Sequence, residues 1–119
     1  ADVMARSADV DGVAAEWTGG FERVFDAAAA VRGDEGPVPD RAARAFLDML
    51  AAEPDTFVVT THDRATAEEV RERAARARDG DLDPSRFADE LVAEGINPGT
   101  TADLTAGALF VALRRGLEV

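Results

Sequence analysis

Hydrophobic residues recur along most of this chain at intervals of three and four, which is the spacing of amphipathic helices. The first such stripe predicts a helix over residues 10–31. Gly19 and Gly20 interrupt it, and a glycine pair inside a helix indicates a kink or a close approach of another group. The apolar members of the stripe are Val10, Val13, Ala14, Trp17, Phe21, Val24, Phe25 and Ala28.

Four more helices are predicted, at about residues 40–52, 65–78, 84–94 and 101–115, with short breaker segments between them. Pro84 suits the first turn of its helix, and Gly80 and Gly95 are plausible helix stops. The predicted core positions are Ala43, Phe46, Leu47, Leu50, Ala67, Val70, Ala74, Ala77, Phe87, Leu91, Val92, Leu104, Ala108, Val111 and Ala112. In the last helix Leu109, Phe110 and Leu113 widen the apolar stripe, which predicts burial on more than one side.

Two pairs have the spacing of a capping box, Thr66 with Glu69 and Thr100 with Asp103. The short apolar run 57–59 has no partner strand, so it predicts either a short buried helix or an extended connector. Strands and helices do not alternate, which argues against a dinucleotide-binding fold. The chain is therefore predicted to be one all-α domain over residues 1–119, a bundle of about five helices that forms part of a larger helical domain.

The charge composition limits the classes of molecule that the protein is expected to bind. Acidic residues number 24 and basic residues 13, for a net charge of -11, and every basic residue is an arginine. Codon bias explains arginine and alanine but not the acidic excess, so we favour adaptation to high salt. Nucleic acid is a poor partner because the arginines between positions 71 and 78 are interleaved with acids.

The counts of cysteine and histidine and the lengths of the apolar runs argue against several kinds of site. The sequence has no cysteine and one histidine, so it has neither disulfides nor a cysteine or histidine metal cluster. No apolar run approaches the roughly 18 residues of a membrane span. We therefore expect a cytoplasmic protein with no membrane partner.

The segment 95–104 carries the clearest candidate chemistry. Pro98 and Gly99 predict a tight turn, after which Thr100 and Thr101 open a helix. Free amides at a helix N-terminus suit a phosphate, and Asp103 could hold a Mg²⁺ ion bound to a nucleotide. Asn97 could orient a ligand hydroxyl, but spacing alone favours an ordinary capped helix after a turn.

The same segment resembles the C-terminal signature of the triphosphoribosyl-dephospho-CoA synthase family. The matching residues are Asn97, Pro98, Gly99, Ala102, Asp103 and Leu104. Weaker matches lie at 54–56, followed by an apolar run and a helix, and at 13–25. The resemblance spans nearly the whole chain in the right order and corresponds to the C-terminal portion of the family.

The resemblance implies a reaction in which ATP donates its triphosphoribosyl group to a ribose hydroxyl of 3'-dephospho-CoA and adenine is released. Mg²⁺ would accompany the ATP, with Asp103 as its ligand. It also implies catalytic roles for Asp55, Asp103 and His62. The implied substrate-binding residues are Thr56, Asn97, Gly99, Thr100 and Thr101.

The residues leave other roles open. Asp55 fits an N-cap as well as a catalytic group, His62 fits a polar residue near a helix start, and Trp17 fits core packing better than stacking on adenine. Against the family pattern, Thr61 and Asp63 stand where a basic residue and a glycine are usual.

Family members are more than twice this length, and their N-terminal lysine motifs are absent here. The chain is thus expected to need an N-terminal half or to self-associate. The alternative is a non-catalytic module, binding a nucleotide or a partner, that derives from the family.

Overall fold

The computed structural model describes residues 22–116, which form six helices and no strand. We number them α1 (residues 22–33), α2 (Val38–Ala52), α3 (Thr56–Thr61), α4 (Arg64–Arg78), α5 (Pro84–Ala93) and α6 (Gly99–Arg114). The all-α prediction is confirmed. The additional helix is α3, because the apolar run 57–59 forms a short helix. The predicted helix start at Val10, the glycine pair and Trp17 lie outside the described residues.

The core consists of two apolar clusters that share α2. On one face of α2, Leu47 and Leu50 pack with α4 and with residues of α3 and α5. On the other face, Ala45 and Met49 pack with α1 and α6. A fully buried leucine such as Leu50 contributes about 1.5–3 kcal/mol through the hydrophobic effect. The partners of α2 in the first cluster are Val58, Ala67, Val70, Ala74, Ala77, Phe87, Leu91 and Ile96, and in the second Val24, Ala27, Ala28, Val31, Leu104, Ala108 and Ala112.

Gly95 ends α5 and sets the direction of the chain into the candidate site. Its φ of +69° lies in the left-handed region, which favours glycine. Its amide donates to the Val92 carbonyl at 3.1 Å, and the Ile96 amide donates to the Leu91 carbonyl at 2.9 Å. This double hydrogen bond buries Ile96 in the core and turns the chain toward Asn97.

The helix starts correct both capping predictions. Asp63, not Thr66, is the N-cap of α4, and its carboxylate accepts from the Thr66 amide at 2.6 Å. At α6 the N-cap is Pro98, with no side-chain cap, so Thr100 and Asp103 form no capping box. Two residues can have the sequence spacing of a capping box without forming one. The N-cap is whichever residue directly precedes the first helical turn, and the backbone conformation decides which residue that is.

Several predicted core residues are exposed. Ala43 lies at the surface, as do Val92 (80% exposed), Phe110 (64%) and Leu113 (46%). No helix of residues 22–116 covers Val92 of α5 or Phe110 and Leu113 of α6, which is why apolar character at these positions does not lead to burial. None of the helices in that range is long and apolar enough to cross a membrane.

Arg73 joins α4 to α5. Its guanidinium lies 3.5 Å from Glu69, 3.3 Å from Glu90 and 2.9 Å from Glu94, while only 13% of the side chain is exposed. It also lies 5.9 Å from the centroid of the Phe87 ring. Arg73 belongs to the arginines between positions 71 and 78 that the sequence interleaves with acids, and its side chain is mostly buried.

We expect Arg73→Met to lower the free energy of unfolding by about 1–2 kcal/mol, since three carboxylates then lose their shared cation. Urea denaturation at low and at molar KCl measures this, and the loss should shrink at high salt, where repulsion is screened. Arg76→Met, at an exposed position of the same helix, is the control and should change stability by less than about 0.5 kcal/mol. If both variants lost the same free energy of unfolding, Arg73 would not be the residue that stabilises the contact between α4 and α5.

Candidate functional site

A buried carboxylate joins the N-termini of α3 and α6. Asp55 is 2% exposed, and its Oδ1 accepts hydrogen bonds from the amides of Phe57 at 2.8 Å and Val58 at 3.1 Å. Its Oδ2 accepts from both the amide and the hydroxyl of Thr101, each at 2.7 Å. Asp55 is the acceptor in all four contacts. Asp55 therefore caps its own helix and holds the neighbouring one.

A pair of threonines lies beside this carboxylate. The hydroxyl oxygens of Thr56 and Thr100 are 2.7 Å apart and partly buried, and each could be the donor. One turn along α6, the Thr105 hydroxyl donates to the Thr101 carbonyl at 2.9 Å. The structure thus brings together four of the residues predicted for the site: Asp55, Thr56, Thr100 and Thr101.

The first amides of α6 are mostly occupied. The Thr101 amide binds Asp55, the Ala102 amide donates to the Pro98 carbonyl at 3.0 Å, and the Gly99 amide donates to the Asn97 carbonyl at 2.8 Å. The anion attracted by this helix N-terminus is a side chain of the same protein. An external phosphate would meet the Thr100 end of the turn rather than a ring of bare donors.

Asp103 and Asn97 lie at the surface near that turn. Asp103 is exposed and lies about 200° around the helix from Thr101, so it points away from Asp55. Thr100 and Asp103 are three residues apart and therefore neighbour each other on α6. The site consequently has a buried part centred on Asp55, a partly buried pair formed by Thr56 and Thr100, and one exposed carboxylate, that of Asp103.

Gly99 is packed closely. A Cβ added there would lie 3.2 Å from Cδ2 of the Phe57 ring, so the aromatic edge lies directly against the backbone at the start of α6. Sequence reasoning missed Phe57 as part of the site because it appeared only as one residue of an apolar run. The available signal was an aromatic residue two positions after a predicted N-cap.

His62 lies at the end of α3, where its Nε2 is 3.2 Å from the Gly95 carbonyl oxygen. The contact links α3 to the turn before α6, and the ring remains exposed. The next residue, Asp63, has a lowered pKa because Thr66 donates hydrogen bonds to its carboxylate. Asp63 therefore carries a negative charge at neutral pH, at a position where family members usually have a glycine.

An apolar groove adjoins the turn on its other side. It encloses about 830 Å³ and is lined by α2, α5, the 95–98 turn and α6. Asn97, Pro98 and Ala102 form the part of its wall that belongs to the candidate motif. We refer to this feature below as the groove.

The described residues contain no cluster of three or more acidic or histidine side chains suited to a metal ion. A single exposed carboxylate such as Asp103 is enough for Mg²⁺ only when substrate phosphates and water complete the coordination. The part of the chain that the structure describes therefore has no preformed cage for a free ion.

The family model described as ATP:dephospho-CoA triphosphoribosyl transferase matches residues 1–118. The chain belongs to this family. Its predicted resemblance is therefore confirmed over nearly the full length. No curated protein matches the chain.

A solved structure agrees with the family assignment. It comes from Archaeoglobus fulgidus and carries the description of a triphosphoribosyl-dephospho-CoA synthase; the TM-score is 0.77 at 28% sequence identity. The match covers 97% of this chain and 51% of the other. This transferase-family chain thus spans about half the length of its solved relative.

Asp55→Asn is expected to destabilise the protein by about 2–3 kcal/mol, because the amide group can accept on one side only. Either the Thr101 donors or the two α3 amides then face an NH₂ group. Chemical denaturation followed by circular dichroism measures the loss.

Asp63→Asn is the matched control for this prediction. Asp63 also caps a helix, but it is exposed and asparagine caps equally well, so a change of only a few tenths of a kcal/mol is expected. A small effect of Asp55→Asn would mean that the junction does not depend on four accepted hydrogen bonds.

Proposed function

We propose that this chain forms the C-terminal half of a triphosphoribosyl transferase that acts on ATP and 3'-dephospho-CoA. The observation that supports the proposal is the α3–α6 junction, where Asp55 fixes the start of α6, the Thr56–Thr100 hydroxyl pair is partly buried, and Asp103 is exposed one turn along the helix. The match of the family model over residues 1–118 supplies the reaction class.

The proposed reaction exchanges one bond at the ribose of ATP. The glycosidic bond between C1' and adenine breaks, and a ribose hydroxyl of dephospho-CoA forms a new bond to the same carbon. The hydroxyl loses its proton and adenine leaves with one. Positive charge develops on the ribose as adenine departs, so a nearby carboxylate stabilises the transition state.

The residues divide into two roles under this proposal. Asp55 positions the turn, because all its hydrogen-bonding capacity is used within the protein, and Thr101 is held by it. The Thr56–Thr100 pair and Asn97 would bind the substrate as hydroxyl and amide groups, while Gly99 leaves room for the Phe57 ring against the start of α6. Asp103 and His62 remain as the groups that can exchange a proton with solvent-exposed substrate.

Mg²⁺ is part of the proposal as the companion of ATP, where it would neutralise triphosphate charge. Asp103 is the residue that would hold it. The carboxyl groups of Asp55 and Asp63 lie near the junction, and the chain as a whole carries a net charge of -11. We therefore expect the other half of the fold to supply the positive charge that binds the triphosphate.

Adenine release from ATP and dephospho-CoA, measured at molar KCl with this chain and the complementary family half together, tests the reaction. Asp103→Asn should lower the rate by at least about 100-fold, as expected for loss of a proton-transfer or metal-binding carboxylate. Glu72→Gln, at an exposed position of α4 outside the site and the groove, should leave the rate unchanged.

A different result would favour the non-catalytic alternative. If neither adenine release nor a thermal shift with ATP–Mg²⁺ occurs when both halves are present, the transferase assignment fails. Nucleotide binding without adenine release would indicate a binding module.

We also propose that the protein works at high salt. A net charge of -11 on 119 residues disfavours the compact state by self-repulsion at low ionic strength. The unfolding midpoint should rise between about 0.1 and 2 M KCl, because the screening length falls from about 10 Å to below 3 Å. Thermal melts at fixed pH measure this, and a flat or falling midpoint would contradict the proposal.

A further inference from the structure

The groove has almost no polar lining. Of the residues that line it, only Asn97 and Thr105 carry polar side chains, and the Thr105 hydroxyl already donates to the Thr101 carbonyl. Its walls are formed by Phe46 and Leu47 from α2 and by Phe87 and Val92 from α5. The side chain of Val92 is 80% exposed, although its neighbours in the groove wall are also apolar. A contiguous exposed apolar surface of this kind is typical of an interaction site.

The groove is also a gap in the helix packing. Among helices α2 to α6, α5 packs closely only against α4, whereas α2 packs against both α4 and α6. The groove separates α5 from α2 and α6. No helix among α2 to α6 fills this space, so its apolar walls are open to a further packing element.

A small polar ligand fits the groove poorly. The extended arm of dephospho-CoA contains amide groups, and each amide that loses water without gaining a hydrogen bond costs about 1–3 kcal/mol. One exposed asparagine side chain cannot satisfy them. The apolar stripe of an amphipathic helix needs no such partners because its own backbone groups are paired internally.

A second copy of the chain also fits poorly. Symmetric association would bring two acidic surfaces together, and each copy carries a net charge of -11. Asp89 on α5 and Asp103 on α6 are exposed on the two helices that flank the groove. The charge favours an occupant that carries basic residues beside its apolar stripe.

The solved relative supplies a candidate of the right kind. Its matched region is 51% of its chain, so nearly half of that chain has no counterpart in these residues. We propose that the groove receives an amphipathic helix from this other half of the family fold, with basic residues beside its apolar stripe. The inference deepens the proposed function, on which it rests, by naming the surface through which the two halves join.

The test is site-specific photo-crosslinking in the cells that naturally express the protein. A benzophenone amino acid replaces Ala88, an exposed residue that lines the groove, and crosslinked peptides are identified by mass spectrometry. We expect crosslinks to a segment whose sequence matches the part of the family model outside the region matched here, whether on the same or another polypeptide. The same probe at Ala93, exposed on α5 but outside the groove, should give none.

A second measurement uses Ala88→Arg, with Ala93→Arg as its matched control. Ala88→Arg should reduce co-purification of the identified segment about tenfold or more, because a charge enters an apolar interface. Both variants should keep the helical circular dichroism signal, since both positions are exposed.

Other outcomes would overturn the inference. Crosslinks from position 88 to a second copy of this chain, to an unrelated protein or to nothing would each contradict it. Equal co-purification by the two arginine variants would place the contact on another surface. Because these readouts measure contact and not adenine release, the docking inference and the proposed reaction can fail independently.

Discussion

The carboxylate of Asp55 holds the structure together at the point where two helices begin. Both of its oxygens are fully used, one by the start of its own helix and the other by Thr101 of α6. A carboxylate at two helix N-termini interacts favourably with both dipoles, and burial strengthens these interactions. Asp55 is therefore the buried anchor between α3 and the start of α6, and the Thr56–Thr100 and His62–Gly95 contacts add to it.

This arrangement changes how the motif is understood. A helix that follows a Pro-Gly turn suggests bare amides waiting for a phosphate, but here Asp55 already occupies the inner side of the helix start. Under the proposed function, the groups near the turn that could still bind a substrate are the Thr56–Thr100 hydroxyl pair and the exposed carboxylate of Asp103. A rigid inner side is an advantage for such a site, because it fixes these groups without their having to order on binding.

The groove and the junction adjoin the same turn: Asn97 and Pro98 line the groove, and Thr101, three residues after Pro98, binds Asp55. If a helix of the other half enters the groove, it contacts the wall that orients the proposed substrate-binding groups. Assembly of the two halves and assembly of the active site would then be one event. This also accounts for exposed apolar residues such as Val92 on a protein whose surface is otherwise strongly acidic.

The sequence by itself determined the helical class, most helix positions, the glycine stop at Gly95 and the family. These depend on local periodicity and on turn residues whose backbone requirements are local. It could not determine that Asp55 reaches Thr101, since the two lie 46 residues apart and their contact depends on how α3 and α6 pack. Nor could it separate buried from exposed apolar positions, because Val92 and Phe110 follow the same spacing as true core residues and differ only in lacking a neighbouring helix. Tertiary structure alone decided these points, because burial and long-range hydrogen bonds belong to pairs of elements and not to any one of them.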